Sequence, residues 1–327
     1  IMDHLRRGSL VLDGLRTLVL DEADEMLRMG FLDDVEWILQ HTPDERQTAL
    51  FSATMPPPIR KIAETYLENP SEVRIENKTA TVERTEQLAC LVHGHDKLDA
   101  LARLIETSNF DGMLVFARTK AGTVELTERL TVLGFAADAL NGDMNQQARE
   151  RTIGRFRNGK LNVLIATDVA ARGIDVPRIS HVVNVDVPND PAAYIHRIGR
   201  TGRAGRKGAA ITFVTHRESR LLRVIERATR SPIAWLDLPN REKLAERRIE
   251  VFKGRMQKTL GGNQDLDFFR KLIREFAAEN DCSPEDAAAA LAFQAQRERP
   301  LQPPPDSFAA QKRPRPQNGN GNGNGHK

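Results

Sequence analysis

Short apolar runs alternate with longer amphipathic stretches from Thr17 to Thr215. The apolar runs lie at residues 17–20, 47–51, 87–92, 113–116, 162–166, 180–185 and 209–214. Between them, apolar residues recur at helical spacing over residues 97–107, 120–133, 145–158 and 191–198. Apolar strands that alternate with helices are typical of a parallel sheet covered by helices on both faces. The sequence therefore predicts an α/β fold whose ligands bind at the carboxyl ends of the strands.

The pattern changes at three places, and each change predicts a domain boundary. Residues 76–86 are polar and carry no helical stripe, which indicates a linker. After Thr215 the pattern is helical, over residues 216–229, 240–258, 264–279 and 284–297. Residues 300–327 hold six prolines and end in an Asn-Gly repeat, which predicts a disordered basic tail. The predicted domains are therefore residues 1–75, 87–215 and 216–299, with the linker at 76–86 and the tail at 300–327.

Composition narrows the class of protein. A chain of 327 residues with 40% hydrophobic and 28% charged residues is typical of a soluble protein with more than one core. The net charge of +3 weakly favours a polyanionic partner. Cys90 and Cys282 are too few for a disulfide framework or a zinc cluster, and they favour the reducing cytoplasm. No apolar run approaches the ~18 residues of a membrane span, so no membrane partner is expected.

Three acids follow the first apolar run within four positions. Asp21, Glu22 and Asp24 come directly after the strand predicted at residues 17–20, at the edge where a parallel sheet binds ligands. Magnesium prefers one or two carboxylates together with water and phosphate oxygens. An adjacent Glu can orient or deprotonate a water that attacks a γ-phosphate. Taken alone, however, Asp-Glu-Ala-Asp is better interpreted as acids that cap the next helix.

Further motifs at the same predicted edge strengthen the functional interpretation. "FSATMP" places Ser52 and Thr54 after the second strand, and "IATDVAARGIDV" places several polar side chains after a later one. "YIHRIGRTGRAGRKG" repeats arginine every third residue with glycines between, at Arg197, Arg200, Arg203 and Arg206. We expect the helix there to end near Gly199, because glycine is a poor helix former. Arginines without neighbouring acids fit phosphate recognition better than a solvated face, which usually mixes Lys with Glu.

In order and spacing, these motifs together resemble the DEAD-box RNA helicases, which are built from two RecA-like domains. Residues 21–24 resemble the motif that names the family, and residues 52–54 resemble its coupling motif. Residues 114–120, 167–175 and 196–206 resemble motifs of its second domain. The sequence at 139–159 and the helical segment after Arg217 are most similar to the bacterial DeaD-type cold-shock helicases. The resemblance implies RecA-like parallel sheets, partial in the first domain and complete in the second, then a helical dimerisation domain.

The resemblance also implies an activity, ATP-dependent unwinding of short RNA duplexes by closure of the two domains, with ATP and Mg²⁺ as cofactors. Asp21 would hold Mg²⁺ through water, and Glu22 would be the catalytic acid or base. Arg200 and Arg203 would be arginine fingers on the γ-phosphate. Asp175 would contact the ribose beside Gly173.

Two further sets of residues follow from the resemblance. Residues that couple the two domains would be Asp24, Ser52, Thr54 and His196. Residues that contact the RNA backbone would be Arg118, Thr119, Gly142, Arg149, Thr167 and Asp168. Expected partners are RNA, a second copy bound through the helical extension, and proteins of ribosome assembly or RNA decay.

A phosphate-binding loop of the form G-x-x-x-x-G-K-[ST] is expected in such an enzyme but does not occur in these 327 residues. The nearest match runs from Gly154 to Lys160, lacks the hydroxyl residue, and lies after a helical pattern and before a strand. Gly159 is better interpreted as the glycine that ends a helix. In the DEAD-box family the loop precedes the name motif. We therefore expect a fragment that is inactive by itself, drawn from a full-length protein that hydrolyses ATP.

Two rival interpretations remain open. The chain could be a nucleotide-independent module that binds RNA and dimerises, which the lack of a phosphate loop favours. It could instead belong to a related DNA helicase or translocase. Ser-Ala-Thr at 52–54 combined with the motif at 196–203 argues against the DNA enzyme, since this combination resembles the RNA-acting family.

Overall fold

The computed structural model describes residues 1–74, 85–203, 205–297 and 299–303, apart from the side chain of Arg28. The chain divides into two compact units, Ile1–Asn77 and Lys78–Lys327. Most of the predicted linker and the predicted tail from residue 304 onward lie outside the described residues.

The first unit builds a small parallel sheet. Its described elements are α1 (Met2–Arg6), β1 (Thr17–Leu20), α2 (Ala23–Arg28), α3 (Leu32–Leu39), β2 (Gln47–Leu50) and α4 (Pro57–Tyr66). Strands β1 and β2 pair in parallel, with Thr17 opposite Gln47 and Leu20 opposite Leu50. Pro57 opens α4 at a position where the missing N–H removes no helical hydrogen bond. The helices bury a shared core of Ala23, Val35, Leu39, Ile59 and Ile62.

The second unit contains a larger sheet. Its elements up to residue 235 are β3 (Thr85–Leu91), α5 (Lys97–Thr107), β4 (Gly112–Phe116), α6 (Lys120–Val132), β5 (Ala137–Leu140), α7 (Gln146–Arg157), β6 (Val163–Ala166), β7 (Ile179–Asn184), α8 (Pro191–Ile198), β8 (Gly208–Val214), α9 (Ser219–Thr229) and β9 (Ala234–Trp235). The seven strands are all parallel, in the order β5-β6-β4-β7-β8-β3-β9. Every residue of β4 and β6 is buried, because helices cover both faces of the sheet.

The second unit ends in three helices, α10 (Arg241–Leu260), α11 (Asp267–Glu279) and α12 (Pro284–Ala295). The start of α10 lies against α5, where Arg248 forms a two-pronged ion pair with Glu106 at 2.8 and 3.1 Å. A capping box opens α12, since Ser283 and Asp286 each accept a hydrogen bond from the other's backbone N–H. Within the described residues, no helix is both long and apolar enough to cross a membrane.

Comparison with the sequence confirms the fold class of parallel sheets with flanking helices. The structure differs from the predictions in the bounds of the second domain and in several elements that were not predicted. Strand β3 begins at Thr85, so the last two residues of the predicted linker belong to the sheet. Strands β5 and β9 were not predicted, and neither were helices α2, α3 and α4. The sheet and its packing continue to Trp235 through α9 and β9, beyond the boundary expected at residue 215.

Candidate functional site

The acids of the first unit lie where β1 ends. The two strand ends are tied together, because Phe51 donates a backbone hydrogen bond to Leu20 at 2.7 Å and Ala23 donates one to Phe51 at 3.1 Å. Asp21 and Glu22 are exposed there, and Asp21 Oδ1 accepts the Glu22 N–H at 2.9 Å. Glu22 adopts φ 52° and ψ 44°, a left-handed conformation that a non-glycine residue enters only where its surroundings impose it.

Asp24, Ser52 and Thr54 come together in one hydrogen-bonded cluster. Asp24 is 4% exposed, and its Oδ2 accepts both the N–H and the hydroxyl of Thr54, at 2.9 and 2.6 Å. The Asp24 N–H in turn donates to Ser52 Oγ at 3.1 Å, and Ser52 donates to the Thr54 carbonyl at 2.5 Å. The two motifs, 28 to 30 residues apart in sequence, therefore form a single rigid corner.

Asp21 has the chemistry that Mg²⁺ requires. It is an exposed carboxylate at the carboxyl end of a parallel strand, and Mg²⁺ binds proteins through one or two such groups plus water and phosphate oxygens. Among the described residues, no group of three or more His, Cys, Asp and Glu side chains could hold a metal ion without such added ligands. The chemistry of the Asp21 carboxylate therefore fits a magnesium ion.

In the second unit, adjacent strands place several of the expected RNA contacts along one edge. The order β5-β6-β4 sets Gly142, Thr167 and Arg118 after three neighbouring strands. Thr119 is the N-cap of α6 and accepts the Gly122 N–H at 3.0 Å. Arg118 is half exposed and lies 3.8 Å from Glu218, while Thr167 is buried. Backbone N–H groups at a helix start and an exposed guanidinium suit phosphate contacts.

Arg149 and Asp168 have their charged groups engaged within the chain. Arg149 donates to the carbonyls of Ala170 and Arg172, at 2.7 and 2.8 Å, and so holds the loop after β6. Asp168 accepts two hydrogen bonds from Arg197, at 2.6 and 2.8 Å. Arg197 is buried and stacks over Phe116 at 5.1 Å. Its inclusion among the phosphate-binding arginines is therefore wrong, because its guanidinium is committed to the core.

The remaining arginines follow the end of α8, whose last helical residue is Ile198, as expected from Gly199. Arg203 donates to the Gly199 carbonyl at 2.6 Å and to Asp175 Oδ1 at 2.9 Å. Arg200 donates to the Ile174 carbonyl at 3.3 Å. Gly173 has φ +66°, a conformation that favours glycine, and is exposed next to this segment. The structure thus brings together the four residues that the resemblance places around the nucleotide in this unit.

The buried Tyr194 side chain anchors helix α8 to strand β3. The Tyr194 hydroxyl donates to Gln87 Oε1 at 2.8 Å, and burial raises the pKa of this phenol. Asp190 caps the helix by accepting the Ala193 N–H at 2.9 Å. His196, one turn before the arginines, is half buried on the same helix. The packing of helix α8 on the core therefore fixes the position of His196.

Sequence reasoning missed an ionic cluster beside this edge. Lys97 lies 2.7 Å from Asp186 and 3.9 Å from Glu218. Glu218 also accepts the N–H and the hydroxyl of Thr215, at 3.0 and 2.8 Å. A signal was present, because Thr215-x-x-Glu218 has the spacing of a capping box before an apolar helix. The same Glu218 faces Arg118, so it shapes the charge at the expected RNA edge.

Comparison with known proteins identifies the families that this chain matches. Three families match: DEAD/DEAH box helicase at residues 1–62, helicase conserved C-terminal domain at 96–205, and RNA helicase DeaD dimerization domain at 239–306. The ATP-dependent RNA helicase DeaD of Escherichia coli is 51% identical over 310 residues, which cover 94% of this chain and 49% of the relative. Its namesake from Buchnera aphidicola is 50% identical over 311 residues, covering 95% and 51%. The chain therefore spans about half the length of the curated relatives it matches.

Solved structures of S. cerevisiae Dbp5 share the fold of this chain. S. cerevisiae Dbp5 bound to RNA and ADP BeF3 superposes with a TM-score of 0.66 at 35% identity, covering 72% of this chain and 63% of that one. A further S. cerevisiae Dbp5 structure, with Nup159, Gle1, IP6 and ADP, has a TM-score of 0.51 at 33% identity, covering 77% and 67%. Fold and motifs together are those of the protein class built from RecA-like domains. The chain belongs to the DEAD-box RNA helicase family, and within that family it is of the DeaD type.

Proposed function

We propose that this chain is part of an ATP-dependent RNA helicase that unwinds or remodels short RNA duplexes as its two RecA-like domains close on ATP. One observation carries the proposal. Arg203 and Asp175 are ion-paired, and Arg200 donates to the carbonyl of Ile174, which lies between Gly173 and Asp175. The four residues expected to bind the nucleotide in this unit therefore lie together, in the same domain as the expected RNA contacts, which supports an enzyme that couples the two ligands.

Each residue has a proposed part in hydrolysis. Glu22 orients the attacking water and accepts its proton, which its exposed position after β1 permits. Arg200 and Arg203 stabilise the charge that develops on the transferred phosphoryl group. Asp21 holds Mg²⁺ through water, and the ion when bound neutralises charge on the phosphate oxygens. Asp175 binds the ribose, and Gly173 lets the backbone approach the nucleotide.

RNA recognition is proposed to be blind to sequence. Arg118, Thr119, Gly142 and Thr167 lie at the ends of neighbouring strands, where they would contact the sugar-phosphate backbone rather than base edges. Arg149 and Asp168 act from within the chain by fixing the loop after β6. The corner of Asp24, Ser52 and Thr54, together with His196, is proposed to couple RNA binding to domain closure.

Self-association is proposed through the helical extension. Helix α11 exposes a row of large apolar side chains, namely Phe268 at 66%, Phe269 at 57%, Leu272 at 49% and Phe276 at 48%. Charged neighbours on the same helix are ion-paired within it, as in Arg270 with Asp267. An apolar patch of this kind marks a protein interface. A second copy of the chain is the proposed occupant, supported by the match of residues 239–306 to a dimerisation domain.

The biological setting rests on the resemblance alone. We propose a cytoplasmic protein that acts in ribosome assembly or RNA decay, including during cold shock. The proposed division of the chain places the second RecA-like domain at residues 85–235, because β3 begins at Thr85 and β9 ends at Trp235, with the helical extension after it.

RNA-stimulated ATP hydrolysis tests the function. The chain as given is compared with a chimaera in which the N-terminal half of the E. coli DeaD relative, with its phosphate loop, precedes Ile1. We expect hydrolysis only in the chimaera, abolished by Glu22→Gln or Arg200→Ala. No hydrolysis in either protein, with RNA binding and self-association intact, would favour a nucleotide-independent RNA-binding and dimerisation module. Preference for DNA over RNA in competition would instead favour the DNA enzyme.

A further inference from the structure

A pocket of about 390 Å³ lies in the second unit, and it shares no lining residue with the candidate site described above. Phe110, Phe135 and Asn162 line one wall, and these residues precede β4, β5 and β6. The other wall is α10 together with Ala295, Gln296, Arg299 and Leu301. The strands are parallel, so the pocket lies at their amino ends, whereas the expected RNA contacts Arg118, Gly142 and Thr167 follow the carboxyl ends of the same three strands. It is therefore a separate cavity.

The lining of the pocket combines aromatic side chains, here called its aromatic floor, with basic side chains. Phe110, Phe135 and Phe252 contribute aromatic rings. Four arginines also line the cavity, Arg247, Arg248, Arg255 and Arg299. Among the described residues that line it, Glu106 is the one carboxylate. The charge of the cavity is therefore positive.

Two of these arginines share one carboxylate. Arg248 makes its two-pronged ion pair with Glu106, whose side chain is 11% exposed. Arg299 lies 3.2 Å from the same carboxylate and covers the Phe135 ring at 4.6 Å. These contacts fix the floor and leave Glu106 without excess negative charge. They also show that a guanidinium plane already stacks on an aromatic ring in this pocket.

The other two arginines retain donors for a ligand. Arg247 Nε is buried and has no hydrogen-bond partner among the described residues, while its Nη1 is paired with Glu250 at 2.7 Å. The Arg255 guanidinium makes no hydrogen bond or ion pair with any residue that the structure describes. A buried donor without an acceptor is costly, so an anionic acceptor supplied from outside would stabilise it. The two residues lie ~12 Å apart along α10, at 1.5 Å per residue.

We propose that this pocket binds a nucleotide of single-stranded RNA, with the base against the aromatic floor and the phosphates at Arg247 and Arg255. The choice of RNA as the polyanion rests on the proposed function. Aromatic rings beside arginines are the usual platform for unpaired bases, and the cavity is within the size range of small-ligand sites. An acidic peptide would use the charge but not the aromatic floor. The site would hold RNA on the far side of the second domain while the catalytic edge acts on the duplex.

Fluorescence anisotropy of the full chain with a labelled single-stranded oligouridylate tests the proposal. Arg255→Ala and Arg247→Ala are compared with Lys253→Ala, which removes an exposed charge from α10 outside the pocket. We expect each pocket variant to bind about 3- to 10-fold more weakly, with a salt slope lower by about 0.7 for each phosphate that is no longer bound. Lys253→Ala should bind nearly as the unmodified chain does. A 4-thiouridine oligonucleotide should crosslink to peptides that contain Phe135 or Phe252.

The outcomes separate this proposal from the proposed function. If the unmodified chain binds no RNA, the proposed RNA function fails as well. If it binds RNA and Arg118→Ala weakens that binding, while Arg247→Ala and Arg255→Ala do not, only the pocket proposal is overturned. If the pocket variants fail to bind polyglutamate while their RNA binding is unchanged, the pocket belongs to an acidic protein partner and the RNA proposal is wrong.

Discussion

Arg203 Nη1 lies 2.9 Å from Asp175 Oδ1, so the expected arginine finger is paired with the expected ribose ligand. Both side chains are well exposed, at 39% and 75%, and an exposed pair of this kind contributes little to stability. The pair can therefore open when a nucleotide offers competing oxygens. Until then it holds the guanidinium beside the segment that contains Gly173.

This relationship predicts different kinetic defects for its two members. In the chimaera, Arg203→Lys should lower kcat for ATP hydrolysis by at least about 100-fold, because lysine cannot reproduce the planar guanidinium on the transition state. Asp175→Ala should mainly raise KM for ATP. The control is Arg206→Lys, at the next arginine of the series, whose guanidinium donates to the Pro177 carbonyl at 3.2 Å. An equal loss of kcat in the control would contradict the assignment.

Asp168 and Arg197 are predicted to act as a structural pair. Asp168→Ala should lower the free energy of unfolding by about 2–3 kcal/mol, because it leaves a buried guanidinium without its carboxylate. In an Arg197→Met background the same substitution should cost less than about 1 kcal/mol, since no buried charge remains. Urea denaturation of the four proteins gives the coupling directly. Additive losses would mean that the ion pair does not stabilise the second domain.

Gly159 has the conformation that its place at the end of α7 demands. Its φ is +75°, and the Gly159 and Lys160 N–H groups donate to the carbonyls of Phe156 and Arg155, as in a Schellman ending. Gly159→Ala should destabilise the chain by about 1 kcal/mol. Gly154→Ala is the matched control, because Gly154 lies inside α7 with open space around it, and alanine there should stabilise by about 0.5–1 kcal/mol. Thermal unfolding measures both, and equal signs would refute this account of the segment.

Local patterns predicted most of the fold, because the buried central strands are short apolar runs that are hard to mistake. Strand β5 was not predicted because Ala-Asp-Ala-Leu is short and contains an acid. It lies at the edge of the sheet, where one partner strand suffices. Sequence spacing also identified the arginines after α8 but could not separate their environments. Arg197 and Arg203 occupy equivalent positions in the repeated arginine pattern. The Arg197 guanidinium is nevertheless buried against the Phe116 ring, whereas the Arg203 side chain is exposed. Only tertiary packing makes that distinction.

The apolar face of α11 predicts a change in association state. Phe269→Ser with Phe276→Ser should convert a dimer to a monomer in sedimentation, because the substitutions remove two of the exposed rings that a second copy would bury. Helix content should stay the same, since both side chains are about half exposed, at 57% and 48%. Val132→Ser is the control, because Val132 is 87% exposed but lies on α6, away from this face. A dimer that survives the double substitution would exclude α11 as the interface.

The two cysteines are predicted to differ in reactivity. Burial raises the pKa of the Cys90 thiol from 9.0 to about 12, and its side chain in β3 is 1% exposed. Cys282 is partly exposed before α12. At pH 8 we expect Ellman's reagent to titrate one thiol in the folded chain and both after denaturation, with Cys282→Ser abolishing the native signal. Because folding favours the protonated Cys90 thiol, its contribution to stability is complete below about pH 9 and is lost as the pH rises towards 12. Rapid native labelling of Cys90 would show instead that β3 separates readily from its neighbours β8 and β9.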